Sequence, residues 1–194
     1  MTPRAFLRRA VGFGLLLVAG CVGPDQARPG RVEVAPGVVL QLPEAPPFGP
    51  RATAAQLVEA IYGDRAVVLQ AYVESDAERT LVVMTLPSGP RIMTVEWTAT
   101  AFTARLEPQA PPGLTGEHLL ADMMLIYAPL ELVRAALEGG EIGQAPDGTR
   151  LVTRAGATLV TISRPPDDPA LNPWNGPARL DNLGYGYSPT IDSQ

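Results

Sequence analysis

The chain has 194 residues, with 15 basic against 20 acidic side chains, a net charge of −5, one cysteine and one histidine. An acidic balance argues against nucleic acid, whose affinity comes chiefly from basic side chains on phosphates. One cysteine excludes a disulfide within the chain. One histidine leaves a catalytic triad or a histidine-based metal site without partners, so neither metal nor cofactor is expected.

The chain opens with Arg4, Arg8 and Arg9, an apolar run from Val11 to Leu17, and then Val18-Ala19-Gly20-Cys21. A charged start, a short apolar stretch and small residues at a cut form the secretory pattern. The apolar run is roughly half the ~20 residues that a helix needs to span a bilayer. The tetrapeptide resembles the lipobox of bacterial lipoproteins. That resemblance implies cleavage before Cys21 and lipid attachment to its thiol, with palmitate-type acyl chains. In enterobacteria an aspartate after the cysteine retains a lipoprotein in the inner membrane. Val22 stands there instead, which favours the outer membrane. The expected organisation is a signal peptide over 1–20, a tether over 21–37 and one domain over 38–194. Cleavage would leave 12 basic against 20 acidic residues, so the anchor must supply the membrane affinity.

Val22 to Gly37 is rich in proline and glycine and reads as the tether. A first strand is expected over Val38–Leu42, and the four prolines of Pro43–Pro50 exclude regular structure. Thr53-Ala54-Ala55-Gln56 has the form of a capping box. A helix over Ala54–Tyr62 is therefore expected, with Gly63 ending it. Period-two alternation follows over Arg65–Glu74. Further strands are expected over Arg79–Leu86, Arg91–Trp97 and Ala101–Leu106, separated by turns, in an antiparallel meander. The period then changes. Gly116–Tyr127 reads as an apolar helix capped by Thr115, and Pro129–Glu138 as a second helix that Gly139-Gly140 terminates. Pro146-Asp147-Gly148 forms a turn, and Arg150–Arg154 with Ala157–Arg164 a hairpin around Ala155-Gly156. A loop over Arg164–Pro177 precedes a last strand pair over Ala178–Ile191. The fold class is α+β, an antiparallel sheet interrupted by helices.

No motif for catalysis emerges. His118, in the first turn of the apolar helix, suits a cap or surface position. Asp167-Asp168 lies in a proline-rich loop. Ser88 sits in a turn. The helix Leu119–Tyr127 carries one charge, Asp122, and is hydrophobic around most of its circumference. Such a helix is buried on several sides or covers a hydrophobic cavity. Its paired methionines suit varied apolar ligands.

The leader ending in Cys21, the Leu119-Leu120-Ala121-Asp122 helix followed by Tyr127-Ala128-Pro129-Leu130 and Leu137, and Leu180-Asp181-Asn182-Leu183-Gly184-Tyr185-Gly186-Tyr187 carry a further resemblance. Together they resemble a family of proteobacterial lipoproteins of unknown function. Its members are often encoded beside aryl polyene biosynthesis genes and are related in fold to the lipoprotein carriers LolA and LolB. The resemblance implies a curved antiparallel sheet, an incomplete barrel, with helices packed on its concave face. It also implies a cavity that receives acyl chains. Strand parity and helix placement then put Met84, Met93, Trp97, Phe102, Met123, Met124 and Tyr127 along that cavity. Trp174 is the candidate for a membrane-inserting loop. The expected function is non-enzymatic binding of a lipid, acyl or polyene-like group at the outer membrane. The alternative is a structural lipoprotein that recruits an envelope complex through its surface.

Overall fold

The computed structural model describes residues 30–164 and 174–193. Cys21, the leader and Asp167-Asp168 lie outside the described residues. Fifteen elements follow in chain order. They begin with β1 (Arg31–Ala35), β2 (Val38–Gln41), β3 (Ala52–Tyr62), β4 (Arg65–Ser75), β5 (Arg79–Thr85), β6 (Arg91–Thr98) and β7 (Phe102–Leu106). Two helices come next, α1 (Gly116–Tyr127) and α2 (Leu130–Ala136). The chain closes with β8 (Leu137–Glu138), β9 (Glu141–Gln144), β10 (Arg150–Arg154), β11 (Ala157–Ser163), β12 (Ala178–Asn182) and β13 (Tyr187–Ser193).

Ten strands form one antiparallel sheet in the order β7-β6-β5-β4-β3-β13-β12-β11-β10-β9, open at both edges. A small sheet of order β1-β2-β8 lies beside it. The expected tether to Gly37 is thus corrected. Val32, Val34 and Ala35 are buried, and β1 pairs with β2. Alternating valines in Arg31-Val32-Glu33-Val34 provide one apolar face, which outweighs the surrounding prolines and glycines.

The expected helix over Ala54–Tyr62 is a strand. Ala54, Gln56, Val58 and Ala60 are buried while the residues between them are exposed, a period of two. Its capping-box start and alanines favour a helix locally. That preference loses to ladders on both sides, with β4 over the whole strand and with β13 from Gln56 to Tyr62. Gly63, at φ +60°, instead opens the two-residue loop of a hairpin, where a left-handed residue suits the strand twist.

Helix α1 has the expected bounds. Thr115 Oγ1 accepts from the His118 backbone N–H at 3.2 Å. Gly116 is required by close approach, since a Cβ there would meet the Ala104 side chain at 2.5 Å. At the other end two arginines satisfy carbonyls that the helix leaves open. Arg150 Nη1 donates to Leu125 O at 3.0 Å and to Ala128 O at 2.8 Å. Arg164 Nη1 donates to Ile126 O at 2.8 Å. Burial, and then the Arg164 charge, push Arg150 down to about 10.

Helix α2 is shorter than expected. Leu137 and Glu138 leave it to pair with Leu40 and Val39 of β2. The β10–β11 hairpin turns at Ala155 and Gly156 as expected, both at positive φ. Asn182 joins the two sheets, with its side-chain N–H donating to Val34 O at 2.7 Å. Its Oδ1 accepts from the Tyr185 backbone N–H at 3.0 Å and so shapes the turn before β13.

Candidate functional site

A cleft of about 290 Å³ opens between α1 and the middle strands of the large sheet. Val58, Ala60 and Tyr62 of β3, Leu69 of β4 and Met84 of β5 form its floor. Period-two alternation puts these side chains on one face. His118, Leu119 and Asp122 line the opposite side, one face of α1 at helical spacing. Leu114, in the loop before α1, and Tyr185, Tyr187 and Pro189 close it. The lining therefore holds one carboxyl, one imidazole and three phenols in an otherwise apolar wall.

These polar groups are connected. Tyr187 donates its hydroxyl hydrogen to Asp122 Oδ1 at 2.8 Å. The Tyr187 ring stacks on Tyr62, with centroids 5.7 Å apart and planes 20° from parallel. Burial pushes the Asp122 carboxyl up to about 7, and the Tyr187 hydrogen bond partly offsets the rise. Burial and the charge of Asp122 raise Tyr187, so its hydroxyl stays a donor. Tyr62 is raised by burial and by Asp122. His118 Nδ1 sits 2.9 Å from Thr115 Oγ1, at an exposed cap position.

A second hollow of about 410 Å³ lies over Leu57, Tyr72, Val83 and Thr85, on the other face of the same strands. No helix residue lines it. Among the described residues, no three acidic, histidine or cysteine side chains are grouped to hold a metal. No helix among them is long and apolar enough to cross a membrane.

Of the seven side chains placed along a cavity from the sequence, Met84 lines the cleft. The other six are buried in the packed core. Met93 and Trp97 are 0% exposed, and Phe102 lies beneath the start of α1. Met123 and Met124 face inward from α1. Tyr127 accepts from Gln56 Nε2 at 3.1 Å and packs on Trp174, with ring centroids 4.4 Å apart. Trp174 is no membrane-inserting side chain. It is fully buried, edge-on to Phe48 at 4.9 Å. Together with Phe48 it fills the space beneath the end of α1, so the open volume lies nearer the helix start.

The sequence marks Tyr185 and Tyr187 only within a family string, and Asp122 only in such a string and as the one charge of its helix; it does not mark Tyr62 as a site residue. The signal is present: Asp122 is the one charge of an apolar helix, and a carboxylate rarely sits among apolar side chains without a reason. Tyr62 is not legible as a lining residue because the helix-favouring start of its segment conceals the strand.

Residues 53–194 match the family model described as protein of unknown function (DUF3261). The chain belongs to that family. The match spans β3 to β13 and therefore includes every residue that lines the cleft. The crystal structure of a LolA superfamily protein from Nitrosomonas europaea is similar at 11% identity and a TM-score of 0.42, covering 77% of this chain and 86% of that one. A search of curated proteins finds no match for this DUF3261 chain.

Proposed function

We propose that this protein binds the apolar part of a lipid, acyl or polyene-like group in the cleft between α1 and the sheet, without catalysing a reaction. The observation that carries this reading is the lining: Val58, Ala60, Leu69, Met84, Leu114 and Leu119 converge on one open volume. Each methylene buried there contributes about 0.8 kcal/mol, so affinity needs no charged site. The volume, about 290 Å³, lies at the lower bound of ligand pockets, roughly 300 Å³. It suits one apolar chain or ring system rather than a lipid with several chains.

In this reading the sheet is an incomplete barrel curled around α1. The helix packs against β6 and β7 near one edge and against β11 and β12 toward the other. Adjacent strands are ~4.8 Å apart, so in a flat sheet β6 and β12 would lie about 25 Å apart. A helix only ~10 Å wide touches both if the sheet bends around it. The anchor at Cys21 would hold this domain at the outer membrane, facing the periplasm. Nine residues separate Cys21 from β1, a covalent reach of at most ~35 Å. The ligand is then taken up or released close to the membrane surface.

Mass spectrometry of protein purified gently from membranes tests the binding role. A stoichiometric hydrophobic molecule that leaves when Ala60→Phe fills the cleft is the expected result. Protein free of any such molecule, and indifferent to added lipids, would remove the reading. Fractionation tests the anchor: Cys21→Ser should move the protein from the membrane to the soluble fraction.

One observation favours the alternative, an assembly role. Leu57, Ile61, Val68 and Tyr72 are each more than 40% exposed on the outer face of β3 and β4. A photo-crosslinker at Leu57 that captures one envelope protein in stoichiometric yield, with the cleft empty of ligand, would favour it.

A further inference from the structure

We infer that the Asp122 end of the cleft is a binding site for a protonated amine, and that the ligand is an amphiphile with an ammonium head on one apolar chain. This inference rests on the cleft reading above.

Asp122 lines an otherwise apolar cavity, and its hydrogen bond among the described residues comes from Tyr187 to Oδ1. No arginine forms an ion pair with it among those residues. A carboxyl kept in such a place is costly to ionise unless a cation arrives. Among the described residues no cation pairs with it, and the inferred source of one is the ligand.

The surroundings suit an organic cation. Tyr62 and Tyr187 stack beside the carboxyl, and Tyr185 adds a third ring to the same lining. Aromatic faces attract ammonium groups, and Tyr62 and Tyr185, 41% and 45% exposed, leave theirs open to one. Tyr62 reaches the carboxyl through Tyr187, on which its ring stacks and whose hydroxyl bonds Asp122. An anionic head would meet the carboxylate with like charge, in a chain whose acids outnumber its bases. The remaining titratable group of the lining is His118, on the same face of α1. Its ring is engaged with Thr115 Oγ1.

The test uses the full chain carrying Cys21→Ser, so that no anchor competes for the ligand. N-phenylnaphthylamine, an uncharged probe, reports the cleft by fluorescence. Dodecylamine, dodecanoate, dodecyl maltoside and chain-free ethylamine are titrated against it below their micelle concentrations. Dodecylamine should displace the probe at a concentration at least about tenfold below that of dodecanoate. Asp122→Asn should bring the two within about twofold and leave dodecyl maltoside unchanged. Tyr62→Leu should narrow the gap in part.

Dodecanoate binding as tightly as dodecylamine, or a gap that persists in Asp122→Asn, would overturn the inference while leaving the cleft reading in place. Failure of all three dodecyl compounds to displace the probe would remove the cleft reading itself. Ethylamine displacing as well as dodecylamine would show that the chain plays no part.

Discussion

Tyr187 of β13 donates a hydrogen bond to Asp122 of α1 at 2.8 Å, and this contact joins helix to sheet at the mouth of an apolar cleft. It also fixes the protonation chemistry of the site. The hydroxyl remains a donor, since burial and Asp122 both raise its pKa. The carboxyl, pushed up to about 7 by burial, changes charge near neutrality.

That shift makes stability depend on pH. Asp122 rises from an ordinary value of 3.8 to about 7 on folding. The unfolded chain therefore releases its proton at lower pH than the folded one. This residue's contribution is most favourable below about pH 4, falls as pH rises, and levels off above about pH 7. Asp122→Asn should be near neutral at pH 4. At pH 8 it should stabilise by on the order of 2 kcal/mol, allowing for partial exposure of the residue. Urea unfolding at the two pH values measures the difference. An equal effect at both would contradict the burial of the carboxyl.

Tyr187→Phe removes the donor and keeps the ring. The carboxylate then loses its hydrogen bond, at a cost of about 1–3 kcal/mol at pH 8. The Asp122 pKa should rise further, because that bond holds it down. NMR titration of the Asp122 carboxyl carbon checks the direction. A lower pKa in the variant would contradict the geometry.

The end of α1 depends on Arg150, whose Nη1 bonds Leu125 O and Ala128 O. Arg150→Met should destabilise by about 2–4 kcal/mol, since buried carbonyls lose a charged donor. Arg150→Lys should recover only part of this, because an ammonium lacks the planar fork of a guanidinium. Thermal unfolding of the pair checks the order. Equal stability of Met and Lys variants would mean the bonds contribute little.

Asn182 ties β1 to the turn that presents Tyr185 and Tyr187. Asn182→Asp keeps the shape but loses the N–H that bonds Val34 O. It should cost about 1–3 kcal/mol, as should Asn182→Ala. Both should also weaken ligand binding, because the two tyrosines border the cleft. Binding unchanged in a destabilised variant would separate the turn from the site.

The sequence was informative where local and long-range preferences agreed. In Gly116–Tyr127, the Thr115 cap and the apolar content both call for a helix, and the helix forms with those bounds. The strands β4 to β7 follow their alternation for the same reason. Ala54–Tyr62 shows the opposite case. Thr53, Ala54, Ala55 and Gln56 favour a helix locally, and pairing on both edges overrides them. Arg31–Ala35 is similar: Val32 and Val34 signal a strand too short to stand out among glycines and prolines. The site was less legible than the fold. Strand parity marks Met93 and Trp97 as inward-facing, and helix placement marks Met124, and all three are buried. Parity says nothing about which inward positions stay unfilled. That was decided by Trp174 folding back from a distant loop against Tyr127 and Phe48.

Binding of N-phenylnaphthylamine to the wild-type chain and to Ala60→Phe bears most directly on the cleft as a ligand site. Ala60 is 3% exposed and lies on the cleft floor, so a phenyl ring there occupies the open volume. The wild type should enhance probe fluorescence with one saturable site. Ala60→Phe, with an unchanged melting temperature, should bind at least about tenfold more weakly. Equal binding by both proteins, or none by the wild type, would contradict the reading.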